Sequence, residues 1–148
     1  MHTPRPIAPA AGQESVWDYP RPPRVEAVVE RITIRLGGQL IADTVDAVRV
    51  LETSHPPVYY LPIADFVPGA LVDAAGSSFC EFKGSARYFD VRAGFEILSD
   101  RVAVYAGQMD ECTVGDEVAS PQPGGFYGGW VTSWVVGPFK GVPGSRGW

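Results

Sequence analysis

Arg31-Ile32-Thr33-Ile34-Arg35-Leu36-Gly37-Gly38-Gln39-Leu40-Ile41-Ala42 is the stretch whose pattern decides the fold. Ile32, Ile34 and Leu36 alternate with Arg31, Thr33 and Arg35, the period of a strand with one apolar face. Gly37-Gly38 supplies a hairpin turn, because glycine adopts positive φ without steric cost. Leu40-Ile41-Ala42 then returns.

The same signal recurs outward from this hairpin. Ala47 to Leu51 and Val58 to Leu61 read as strands, with a turn at Ser54-His55-Pro56-Pro57. Ile63 to Asp73 reads as a short helix or irregular turn, interrupted by Pro68-Gly69. Phe79 to Val91 predicts another hairpin, and Phe95 to Leu98 and Val102 to Tyr105 predict short strands. There is no long amphipathic helix and no internal repeat. Strand signals every ten residues or so predict a mainly β, compact, single-domain antiparallel sheet, bent or barrel-like, with little helix.

Composition narrows the function classes. The chain has 148 residues, 45% of them hydrophobic and 20% charged, which fits one globular domain. Its formal charge of −5 and its scattered basic residues argue against nucleic acid, which requires clustered Lys and Arg. Cys80 and Cys112 stand far apart, with no Cys-x-x-Cys pair and no paired histidines, so no metal site is expected. Asp65, Asp73, Asp90 and Asp100 are scattered, and no phosphate-loop pattern occurs, so no cofactor is implied. No signal peptide or membrane-spanning segment is evident, and a cytoplasmic protein with reduced thiols is expected.

The two ends differ from the middle. Residues 1–14 are rich in Pro and Ala and predict a disordered arm. Residues 15–148 predict one strand-rich domain. It opens with an extended strap, Ser15 to Arg24, pinned by Trp17 and Tyr19. Residues 124–148 hold eight of the chain's 17 glycines, three of its four tryptophans and only two charged side chains. Such a tail is expected to pack on its own domain, with Trp130 and Trp134 on one face.

Cys80-Glu81-Phe82-Lys83-Gly84-Ser85-Ala86-Arg87-Tyr88 is the segment with the most chemistry. A two-residue turn at Lys83-Gly84 would mix polar and apolar residues on each face. A three-residue turn pairs Phe82 with Ala86 and Cys80 with Tyr88, keeping the apolar residues together and setting Glu81 against Arg87. That register places Lys83 at the tip, either as a solvated turn lysine or as the cation of a pocket corner with Ser85 and Tyr88. Cys80 reads better as a core thiol than as a nucleophile, since neither His2 nor His55 is spaced to serve it as a base.

This hairpin resembles the Cys-Pro-Tyr-Lys-Gly-x-Ala-x-Tyr signature of the family known as domain of unknown function 427. Val58-Tyr59-Tyr60-Leu61-Pro62-Ile63-Ala64-Asp65 is similar to that family's Tyr-Phe-Pro-x-x-Asp stretch, and Gly37-Gly38 with Ile41-Ala42-Asp43-Thr44 to its first hairpin. The resemblance spans about residues 15–148, and the strap and tail look like those of a bacterial subgroup. Glu81 and Phe82 replace the family's Pro and Tyr, and a Trp-Tyr-Pro segment usual in members is missing before Val102. The resemblance implies a compact, tent-like or barrel-like strand-rich fold. The family is sometimes labelled nucleotidyltransferase-like, but that chemistry needs grouped carboxylates around magnesium, which the sequence lacks.

Two classes of function follow. In the first, the chain is a small-molecule-binding or sensing module, with Tyr60, Lys83, Tyr88 and Trp130 around a small anionic ligand. In the second, it is an enzyme using Lys83 or Cys80 with Asp65 as acid or base. A homo-oligomeric structural protein joined through the aromatic tail is the third alternative.

Overall fold

The computed structural model describes residues 4–74, 77–80, 86–88, 100–125 and 127–148. In chain order the strands are β1 (Glu14–Ser15), β2 (Arg24–Ala27), β3 (Ile32–Leu36), β4 (Gln39–Thr44), β5 (Val48–Leu51), β6 (Val58–Pro62), β7 (Leu71–Ala74) and β8 (Ser77–Cys80). They continue with β9 (Ala86–Tyr88), β10 (Arg101–Val104), β11 (Glu111–Val114), β12 (Glu117–Val118), β13 (Ser120–Pro121), β14 (Trp130–Val131) and β15 (Val135–Val136). Helical structure among the described residues is confined to 3-10 turns at Val16–Asp18, Ile63–Asp65 and Ala106–Gln108. None of it is long and apolar enough to cross a membrane.

The mainly β, antiparallel expectation holds, but among the described residues the sheets are open and form no closed barrel. A seven-stranded sheet runs β2-β5-β6-β10-β9-β8-β7, and a four-stranded sheet runs β12-β11-β3-β4. β13 pairs with β14, and β1 pairs in parallel with β15. The two larger sheets share one core. Ile32, Ile34 and Ile41 of the smaller sheet meet Tyr59, Leu61, Val102 and Val104 of the larger, and Trp130 from the tail joins them.

The deciding hairpin forms as its sequence predicts. Gly37 and Gly38 have φ of 64° and 76°, the positive values a two-residue hairpin turn needs. Ile34 pairs with Ala42 and Arg35 with Leu40, so Ile41 is an extra residue on β4. This bulge is why Ile41 and its neighbour Ala42 both reach the core.

Elsewhere the structure departs from the sequence expectations. Ile63 to Asp73 holds the expected short helical turn at Ile63–Asp65 and the interruption at Pro68-Gly69, but from Leu71 the chain is strand β7. Phe79 pairs with Arg87, so the expected pairing of Cys80 with Tyr88 does not form. The reason is that β8 and β9 are interior strands, each with its register set by an outer neighbour: Val72 opposite Phe79, and Val102 opposite Tyr88. The turn itself, with Lys83, and the Phe95–Leu98 strand lie outside the described residues. Trp130 and Trp134 do not share a face, being 0% and 54% exposed. Val135 N–H donates to the Thr132 carbonyl and turns the chain between β14 and β15.

The end of the N-terminal arm, expected to be loose, runs along the tail. Ile7 N–H donates to the Gly137 carbonyl, and Glu14 N–H to the Trp134 carbonyl. Gln13 Nε2 donates to the Ser133 carbonyl. Backbone carbonyls that flank β15 supply these partners. The strap that follows is anchored by Trp17, whose indole N–H donates to the Pro138 carbonyl at 2.8 Å.

Candidate ligand-binding cleft

A cleft of about 390 Å³ opens where the end of the N-terminal arm and the tail meet β2, β5 and β6. Strand parity decides what faces it. On β2 and β5, Glu26 stands opposite Arg49, and on β6 Tyr59 stands opposite Arg49 in turn. These three therefore point to one face of the sheet, while Val25, Val48 and Tyr60 point to the other.

Arg49 is the centre of the cleft's polar wall, its side chain 17% exposed. Its Nη2 donates to Glu26 Oε1 at 2.6 Å and to Glu14 Oε1 at 3.1 Å, and its Nε donates to Glu26 Oε1 at 2.9 Å. The Tyr19 hydroxyl donates to the other oxygen of Glu14. Burial disfavours the charge on Arg49, but its bonds to Glu26 and Glu14 outweigh that and raise its pKa further. Tyr19 is pushed up as well, first by burial and then by the Glu14 carboxylate beside it. Burial also raises Tyr59, against the opposing pull of Arg49. Glu30 and the half-exposed Trp134 complete the rim. Two carboxylates thus hold one guanidinium through its Nε and Nη2, and Glu30 adds a third carboxylate to the cleft's lining.

The residues singled out in the sequence are dispersed. Tyr60 is buried with Val48 and Ala103 on the far face of β6. Trp130 is buried against Tyr59, ring centroids 4.6 Å apart, and its indole N–H donates to the Val104 carbonyl at 2.8 Å. The structure therefore puts Tyr60 and Trp130 on opposite sides of the seven-stranded sheet. Tyr88 and Cys80 lie on β9 and β8, which β10 separates from β6, and Lys83 is outside the described residues. Asp65 accepts a hydrogen bond from Thr44 Oγ1 at 2.6 Å and does not line the cleft. Cys112 is buried, which pushes its thiol pKa up to about 12 and leaves it protonated and unreactive at neutral pH. Among the described residues no group of His, Cys, Asp and Glu is placed to hold a metal.

The sequence does not single out Glu14, Glu26 and Arg49, and it marks Trp134 only as a packing residue of the tail. Arg49 between Val48 and Val50, and Glu26 between Val25 and Ala27, were the available signals: opposite charges inside strand-forming runs. Their pairing becomes visible only once β2 and β5 are in register.

A search of curated proteins finds no match to the chain. A family model does match, over residues 24–121. That span contains the sheet wall of the cleft, from Glu26 to Val114, whereas Gly12, Glu14, Thr132, Trp134 and Val135 of the opposite wall lie outside it. The family is described as Domain of unknown function (DUF427), and with two thirds of its length matched the chain belongs to it.

Proposed function

We propose that this protein is a small-molecule-binding module and that the cleft around Arg49 is its site. The observation that carries this reading is the Glu14–Arg49–Glu26 network, with its guanidinium largely buried, lining a cleft with an aromatic rim, as polar groups beside apolar walls do in ligand sites. An anion entering there would compete with two carboxylates for Arg49. A small organic molecule bearing an ammonium or N–H donors would instead meet Glu14, Glu26 and Glu30 and stack on Trp134. Because the wall made by the N-terminal arm and the tail lies outside the matched family span, selectivity would rest with these flanks.

The anionic ligand expected at Lys83, beside Tyr60, Tyr88 and Trp130, is a different placement of the same function, and one experiment separates the two. Purified protein is titrated by calorimetry with small organic amines and with small carboxylates and phosphates. Amine binding that is lost in Trp134→Ala and Glu26→Gln supports the cleft. Anion binding that is lost in Lys83→Met moves the site to the turn. Binding of neither class overturns the module reading, and selective alkylation of Cys80 at neutral pH would then favour the enzyme alternative.

A further inference from the structure

β2 is an edge strand, and its outer edge is self-complementary. In the pairing of β2 with β5, Val28 lies opposite Ala47 and its N–H donates to the Ala47 carbonyl at 3.0 Å. In an antiparallel ladder the hydrogen-bonded pairs alternate, so Glu26 and Arg24 also direct their backbone groups toward β5. Val25 and Ala27 then direct theirs outward, and no described residue bonds to them there. Such an edge is a template for another strand.

The side chains decide which strand fits. Arg24 and Glu26 lie on one face, with Arg24 Nη2 3.5 Å from Glu26 Oε2, and both side chains are exposed. Glu26 Oε1 is committed to Arg49, which leaves Oε2 for a stronger partner. A two-fold axis through Val25 sets Arg24 opposite the partner's Glu26, and Glu26 opposite the partner's Arg24. It also sets Val25 against the partner's Val25, joining the half-buried Val25, Val50 and Val58 to a second copy of themselves. The carbonyl of Pro23, which lacks an N–H, receives the N–H of the partner's Ala27. An axis moved to Glu26 would face two glutamates, which repel.

We propose that the outer edge of β2 pairs antiparallel with β2 of a second copy, about a two-fold axis at Val25, joining two seven-stranded sheets into one. The contact is isologous, because one patch serves both subunits. It concerns assembly of the chain rather than occupation of the cleft, although Glu26 of β2 belongs to both, so it goes beyond the binding function rather than restating it.

Sedimentation of the full chain from about 1 µM to about 1 mM covers the range of weak protein contacts. A rise from monomer to dimer is expected. Val25→Pro removes an outward-pointing N–H, a change that edge strands tolerate, and trims a half-buried side chain. Arg24→Glu replaces each cross-strand attraction by repulsion. Both should weaken the dimer at least tenfold while thermal unfolding stays cooperative, and Arg24→Glu decides if Val25→Pro fails to fold. A chain that remains monomeric throughout, or a dimer undiminished in Arg24→Glu, overturns the proposal.

Discussion

The β3–β4 hairpin and the glycine-aromatic tail both deliver large apolar side chains to the core, by opposite means. The hairpin is local: a two-glycine turn and a period-2 pattern bring Ile32, Ile34 and Ile41 together within a dozen residues. The tail has almost no regular structure of its own, only the two-residue strands β14 and β15. It is held by distant partners. Trp130 N–H donates to the Pro57 carbonyl, its indole N–H to the Val104 carbonyl, and Lys140 N–H to the Ser54 carbonyl. Local order can be read from spacing, but order imposed from far along the chain cannot.

The largest effect should come from breaking the tail at its anchor. Trp130→Ala removes a fully buried ring from against Tyr59 and leaves the Val104 carbonyl without its donor. It should cost about 3–5 kcal/mol, read as a lower midpoint in urea unfolding. An unchanged midpoint would mean that the tail is an ornament on a core already complete.

A pair of glycine substitutions sharpens the contrast. A Cβ at Gly129 would sit 2.5 Å from the Pro56 carbonyl oxygen, a backbone atom that cannot step aside. Gly129→Ala should therefore destabilise by about 1–3 kcal/mol through overpacking. At Gly38 a Cβ meets nothing within 4 Å, and only its positive φ opposes a side chain. Gly38→Ala should cost about 1 kcal/mol. If the hairpin substitution proves the more damaging, the tail is more loosely seated than its contacts indicate.

Alkaline pH tests the hairpin side through Cys112, which stands opposite Ile34 on β11. Its folded pKa is raised to about 12, above the ordinary value near 9. Below pH 9 both states hold the proton and stability is unaffected. Above it the unfolded chain loses the proton first, so stability falls as pH rises toward 12, by at most about 1.4 kcal/mol per pH unit. Cys112→Ala should flatten that part of the curve in denaturation measured from pH 8 to 11.

The smallest effect is expected where strap and tail meet. Ser54 has φ of 72° and a fully buried hydroxyl without a hydrogen-bond partner. Its N–H donates to the Val16 carbonyl of the strap, and its own carbonyl accepts from Lys140 N–H of the tail. This two-sided docking holds a serine in a conformation that favours glycine. Ser54→Gly should raise stability by about 1 kcal/mol, measured as an increase in thermal midpoint. A loss would show that the hydroxyl has a partner of its own, such as a buried water.

How legible the protein was depended on how near the partners lie in sequence. Ile32, Ile34 and Gly37-Gly38 announced their hairpin, and Val58 to Leu61 and Val102 to Tyr105 announced strands, because alternation and turn residues act over a few positions. The pairing of Cys80 with Tyr88 was misread because β7 and β10, rather than the turn, hold the register there. Trp134 was placed beside Trp130 because a spacing of four means one face only while the strand continues, and the chain turns at Thr132.

The sequence by itself determined a mainly β chain with a glycine-marked first hairpin, a family resemblance carried by short motifs, and a tail too aromatic to stay in solvent. These follow from steric preference and from the avoidance of water, both properties of neighbouring residues. The tertiary structure alone decided that Glu14, Glu26, Arg49 and Trp134 surround one cleft and that Tyr60 and Trp130 part to opposite faces of a sheet. Register and strand order bring positions as far apart as 14 and 134 within bonding reach, and no spacing within the chain encodes that distance.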